Sequence, residues 1–245
     1  MDELTHPADD RITRRGSLVR AGGFLAAALT AGAWRAGASA GASGVATATA
    51  GAGPAGVASG AVKCVLTPEQ TEGPYYIPSE KVRRNVTERR PGTPLTLRTT
   101  VVDASTCEPL RSAAVDIWHC DAAGIYSGFG PGAGNRTFLR GIQRTDAAGL
   151  AVFQTLYPGW YPGRTVHIHV KVHLGGNVVH TGQLYFPDAM TDSVYRKAPY
   201  RSRPARDVRN ANDFVFRNGG KGSVLSVRKT AVAYVATITM GVQRP

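Results

Sequence analysis

The sequence predicts an all-β domain, a β-sandwich of mostly antiparallel strands with long active-site loops and little helix, and three observations carry that expectation. From about residue 62 onward, short apolar runs are broken by Gly, Pro, Asn and Asp at roughly ten-residue intervals, the spacing of strands joined by turns. The tetrapeptide Asp-Ala-Ala-Gly occurs twice, at 121–124 and 146–149, and Gly175-Gly176-Asn177 supplies another reversal built from residues that tolerate left-handed backbone. No apolar stripe at helical spacing lasts more than two turns.

Taken in chain order, the first element is a leader. Thr13-Arg14-Arg15-Gly16-Ser17-Leu18, followed by a mildly apolar Ala/Gly/Leu stretch, resembles a twin-arginine export signal. Small residues at Ala36-Gly37-Ala38 and Ala38-Ser39-Ala40 fit an A-x-A cleavage pattern, so residues 1–40 are expected to be removed and the mature chain to be secreted or held in the cell envelope, with no membrane segment. Residues 41–61 are an Ala/Gly/Ser-rich linker. The folded domain is expected over 62–245, with strands at 95–102, 114–118, 151–155, 166–172, 178–186 and 232–239 and one short helix at 191–197, after Pro187-Asp188.

An apolar fraction of 42% in 245 residues suits one globular domain behind a leader. The net charge of +12 is scattered and not run together, and no helix-turn-helix, zinc-finger or RNA-recognition pattern accompanies it, so nucleic acid is not an expected partner. Cys64, Cys107 and Cys120 lack C-x-x-C spacing. In an exported protein they allow one disulfide and one free thiol, with the pairing open.

The chemistry concentrates in Tyr157-Pro-Gly-Trp-Tyr161-Pro-Gly-Arg164-Thr-Val-His167-Ile-His169. Residues two apart on a strand share a face and lie about 7 Å apart along it, so His167 and His169 can lean onto one ion at the roughly 2 Å that imidazole coordination requires. An H-x-H pair alone fits copper, zinc or iron, and also a plain same-face pair. His173 has the same parity but stands about 13 Å from His169, beyond a shared ion. His119 and His180 have no such partner and are expected to be hydrogen-bonded structural residues. Tyr157 and Trp160 are expected to pack.

The strand ending in Trp118-His-Cys-Asp-Ala-Ala-Gly-Ile-Tyr126, the Pro-Gly-x-Tyr161-x-x-Arg164 segment, the H-x-H strand and Gln183-Leu-Tyr-Phe186 follow one another in the order found in the intradiol ring-cleavage dioxygenases. The resemblance to that family begins at Leu66-Thr-Pro-Glu-Gln-Thr-Glu-Gly-Pro-Tyr-Tyr76 and runs to Phe186. It implies one non-haem Fe(III) per chain held by Tyr126, Tyr161, His167 and His169. It further implies catalytic roles for Arg164, Gln183 and Tyr161, a substrate pocket lined by Gly73, Pro74 and Tyr75, a catechol-type substrate cleaved with O2 between its hydroxyl-bearing carbons to a cis,cis-muconate-type diacid, and a possible homodimer.

The donor set suits the ion. Two anionic phenolate oxygens favour iron(III) over iron(II), and with one hydroxide they bring its charge to zero, which a half-buried site tolerates better than a net cation. A catecholate dianion replaces that hydroxide and one tyrosinate at the same net charge, and the resemblance implies that Tyr161 is the one that leaves and takes up a substrate proton. Two other readings fit part of the sequence: an exported, non-catalytic β-sandwich module that binds polysaccharide, and a different His-ligated metalloenzyme using copper or zinc.

Overall fold

The computed structural model describes residues 64–78 and 81–245; the expected export signal, the whole of the expected linker 41–61 and the first two residues of the expected domain lie outside the described residues. The described chain forms the strands β1 (Pro94–Asp103), β2 (Ala114–Trp118), β3 (Arg140–Arg144), β4 (Leu150–Leu156), β5 (His167–Leu174), β6 (Asn177–Tyr185), β7 (Ser226–Lys229) and β8 (Tyr234–Val242), with the helix α1 (Asp188–Tyr195) after β6. They make two four-stranded sheets, in the orders β4-β1-β8-β7 and β3-β2-β5-β6. The pairing is antiparallel except between β1 and β8, which run parallel.

Alternation along the strands decides what lies between the sheets. In β1, Leu95, Leu97, Thr99 and Val101 are buried while Arg98 faces solvent. In β5, Ile168, Val170 and Val172 join the main apolar core, which leaves His167, His169 and Lys171 on the opposite face of the same strand. That outer face is also buried, so β5 is covered on both sides. Each fully buried Ile or Val contributes about 1.5–3 kcal/mol, enough to pin the register and with it the direction of the two histidines.

All six expected strands form, one with the expected ends and the others with ends moved by one to three residues. Two were not foreseen. β3 reads Arg-Gly-Ile-Gln-Arg and β7 reads Ser-Val-Arg-Lys, with one apolar residue each. β3 nevertheless lies beside β2, because Arg140 is buried and Gly141 permits close approach: a Cβ there would fall 2.8 Å from Val86 Cγ1. The helix starts and ends earlier than 191–197, since Pro187 caps its N-terminus and Asp188 occupies its first turn. Among the described residues the remaining helical segments are three short 3-10 turns in the long loop after α1.

Both Asp-Ala-Ala-Gly segments turn by the same chemistry. Asp121 Oδ1 accepts the backbone N–H groups of Ala123 and Ile125, Asp146 Oδ1 accepts those of Ala148 and Leu150, and each closing glycine has positive φ. Cys64 and Cys107 form a disulfide and Cys120 is a buried free thiol. Among the described residues no helix is long and apolar enough to cross a membrane.

His119 is the structural histidine that was expected: Nδ1 meets Cys120 O at 2.8 Å and Nε2 meets Thr155 Oγ1 at 2.7 Å. His180 corrects the same expectation, because its Nε2 is buried without a hydrogen bond against Gly182, the small residue that leaves room for the ring. Burial pushes His119 down to about 4, so between roughly pH 6.5 and 4 the unfolded chain holds a proton that the folded chain refuses. Stability is therefore full above pH 6.5 and is lost as pH falls through that window, by on the order of 3 kcal/mol for this residue. Urea denaturation across pH 4–7.5 should show that slope, and His119→Gln should remove about one proton from it. A slope of the opposite sign would refute the assignment.

Candidate metal centre

Three loops deliver side chains to the outer face of β5. Tyr126 lies just past the turn that follows β2, Tyr161 lies in the loop between β4 and β5, and residues 71–76 cross over the strand. The Tyr126 and Tyr161 loops lock together through small residues. Gly159 N donates to Asp121 O at 3.0 Å, and a Cβ on Gly124 would fall 2.2 Å from Trp160 O. Arg203 clamps both, donating to Ala122 O at 3.1 Å and Trp160 O at 2.8 Å with its guanidinium over the Trp160 ring. Trp160 thus packs through a cation–π contact in a loop, whereas Tyr157 is a core residue.

The four side chains named as ligands meet at one point. Tyr161 Oη lies 3.2 Å from His167 Nε2, and His167 Nε2 lies 3.1 Å from His169 Nε2. The Tyr126 ring stands edge-on to Tyr161 and to His169, with centroids 5.7 and 6.1 Å apart. Its hydroxyl is buried beside the Tyr161 phenol, with which it interacts. Among the described residues no three His, Cys, Asp or Glu side chains converge. Here the two histidines are completed by phenols.

The protonation states suit a bound cation. His167 Nδ1 faces Thr165 O at 2.6 Å, so it carries the proton and leaves Nε2 as a lone pair directed at Tyr161 and His169. Burial drives His167 down to about 3 and His169 well below its usual range, keeping both imidazoles neutral. Burial also pushes Tyr126 well up and Tyr161 up to about 12, the nearby Arg164 charge pulling the latter back. Without a cation both phenols hold their protons. A trivalent ion among these four atoms would reverse that by making each tyrosinate the favoured form, so the residues fit iron(III).

Trp118 stacks on His169 with centroids 4.9 Å apart and planes within 8°, and Tyr75 stacks on Tyr126 at 4.3 Å. Gly73 leaves space that a Cβ would take 3.2 Å from His169 Cε1. Of the three residues expected to line a pocket, Gly73 and Tyr75 touch ligand rings. Pro74 sits on the exposed turn between them with no hydrogen bond or ring contact to the set. His173 lies beyond a register shift in β5, outside the cluster.

Arg164 and Gln183 are joined. Arg164 Nη2 donates to Gln183 Oε1 at 2.6 Å, and Gln183 Nε2 donates to Thr71 O at 2.9 Å. No motif marks the residue that holds them. Asp213, fully buried, accepts Arg164 Nε at 2.8 Å and the backbone N–H groups of Thr165, Val215 and Phe216. It lies in the irregular loop 196–225, where no periodicity marks it. Arg164 is held mostly buried with its charge compensated, and only Nη1 makes no hydrogen bond.

A family model described as "Dioxygenase" matches residues 71–198, more than half of the chain. Catechol 1,2-dioxygenase 1 of Acinetobacter lwoffii is 34% identical over 101 residues, 39% of this chain and 32% of that protein. A catechol 1,2-dioxygenase of Candida albicans is 30% identical over 149 residues, 50% of this chain and 49% of that protein. The chain thus spans a third to a half of the length of these curated relatives. An intradiol ring-cleavage dioxygenase from Tetranychus urticae is similar in structure, with a TM-score of 0.71 at 36% identity over 74% of this chain and 95% of that one.

Proposed function

The chain belongs to the dioxygenase family matched across residues 71–198, and from that premise we propose that it is a non-haem iron(III) intradiol dioxygenase. Its substrate is a catechol-type ring, opened with O2 between the hydroxyl-bearing carbons to a cis,cis-muconate-type diacid. The observation that carries the reading is the meeting of two neutral imidazoles with two largely buried phenols. When bound, the iron supplies a Lewis acid that draws electron density from the catecholate and makes a ring carbon reactive towards O2.

The protein's own groups divide the remaining work. Tyr126 is fully buried and stacked beneath Tyr75, which suits a permanent ligand. Tyr161 is half-buried on a loop, beside Arg164, and its phenol is the less strongly raised of the two. It would be the phenolate that gives way to substrate and takes one of the two catechol protons at Oη. Arg164 Nη1 is free to donate to a substrate oxygen as negative charge builds there, while Gln183 and Asp213 fix its plane. Gly73 leaves the backbone room to cross His169, whose ring Trp118 holds by stacking.

Iron-loaded protein should be red-brown from tyrosinate-to-iron charge transfer, and Tyr161→Phe should shift and weaken that visible band while the two histidines and Tyr126 retain metal. Iron analysis, the absorption spectrum and oxygen uptake with catechol, protocatechuate and hydroxyquinol test the reading together. A colourless protein without iron would favour a binding module, and a copper or zinc site would be indifferent to Tyr161→Phe.

Export through the twin-arginine route belongs to the same proposal. The Cys64–Cys107 disulfide supports an oxidising destination, and a route that carries folded chains allows the metal to be loaded first.

A further inference from the structure

We propose that this site takes uncharged catechols bearing an apolar, aryl-type substituent, selected by Phe129 and Phe214 at its rim. The inference rests on the dioxygenase reading above and goes beyond it, since neither the ligand set nor the ring-opening chemistry chooses a substituent.

Two large aromatic side chains are left exposed in the described structure, Phe129 at 47% and Phe214 at 64%, and both border the candidate centre. Phe129 meets Tyr75 edge-on with centroids 5.4 Å apart, and Tyr75 in turn contacts both phenols of the ligand set. Phe214 lies under the Arg164 guanidinium at 5.5 Å, on the side of the residue that Asp213 holds. Each exposed ring thus stands one residue away from the candidate centre, Phe129 through Tyr75 and Phe214 through Arg164. A phenyl group held half out of water costs free energy that a matching apolar substituent would recover, and stacking or edge contacts add to the gain.

Charge points the same way. A carboxylate on the ring would seek a free cation, and three basic side chains beside the centre are committed. Arg164 is ion-paired with Asp213, and its one remaining donor, Nη1, is the one assigned to the reacting oxygen. Lys171 is ion-paired with Glu72 and capped by the Tyr76 ring. Arg140 is fully buried and donates to the carbonyl and hydroxyl of Ser127. An anionic substituent would thus lose hydration at an aromatic rim without gaining an ion pair.

The test is calorimetric titration, under nitrogen so that no turnover occurs, of the iron-loaded protein with 4-phenylcatechol, catechol and 3,4-dihydroxybenzoate. The phenyl compound should bind at least about tenfold more tightly than catechol, with 3,4-dihydroxybenzoate the weakest of the three. Phe129→Ala and Phe214→Ala should each lower the ratio of arylcatechol to catechol affinity by about threefold or more; because a ratio is read, loss of folded protein does not imitate the effect. Binding of 3,4-dihydroxybenzoate as tight as that of 4-phenylcatechol, or an aryl preference untouched in both variants, overturns the proposal. Oxygen uptake by the same preparations judges the dioxygenase reading separately: binding in the expected order without ring opening would sink that reading and leave this one standing.

Discussion

Arg164→Ala should leave the iron and the red-brown colour in place and lower the ring-opening rate by at least about a hundredfold, the scale of losing one preorganised donor to developing charge. Arg164 is not among the four converging side chains, and its bonds to Gln183 and Asp213 leave the Nε2 atoms of both histidines untouched. The loss should therefore appear in kcat, with catechol affinity reduced much less, because the donor acts on charge that builds during the reaction. Single-turnover rates together with the visible spectrum separate the outcomes. A variant that turns over normally would remove Arg164 from the chemistry, and one that loses its colour would make Arg164 a support for the ligand set instead.

How much of this was legible in the sequence follows from how local each cause is. The strands with apolar alternation could be read because burial on one face needs only the chain's own pattern, as in Leu95, Leu97 and Val101 of β1. β3 could not, since what makes Arg-Gly-Ile-Gln-Arg a strand is its neighbour β2 and the space above Gly141. At the centre, the parity of His167 and His169 is a local fact, and it held because Ile168, Val170 and Val172 claim the other face. Tyr126 and Tyr161 came only through resemblance: nothing local says that a turn closed by Gly124 abuts the carbonyl of Trp160. Trp118 sat within a recognised motif, yet its stacking on His169 depends on the β2–β5 register that sets the two residues opposite each other. Asp213 lies beyond both the resemblance and the matched family span, in a loop whose course is fixed by tertiary bonds alone.

Asp213 is accordingly where the largest stability effect is expected. Asp213→Ala removes the acceptor of three backbone N–H groups and the counterion of a mostly buried guanidinium, and breaking such a pair from one side costs about 3–5 kcal/mol. The reverse truncation should cost less. In Arg164→Ala the Asp213 carboxylate keeps its backbone donors, which with Arg164 hold it below its usual range, whereas in Asp213→Ala the stranded guanidinium keeps only Gln183. Urea denaturation of the two single variants and the double variant closes the cycle: the double should be more stable than Asp213→Ala alone, because it no longer buries an unpaired cation. Iron should report as well. Thr165 donates its N–H to Asp213 and offers its carbonyl to His167 Nδ1, so loosening Thr165 frees the imidazole that its carbonyl orients, a change worth about 10–100-fold in metal affinity. Adding back Arg164→Ala should recover stability without recovering iron affinity, since the Thr165 link stays broken. Equal stability of the two single variants, or normal iron affinity in Asp213→Ala, would show that the loop holds Arg164 and Thr165 by some other contact.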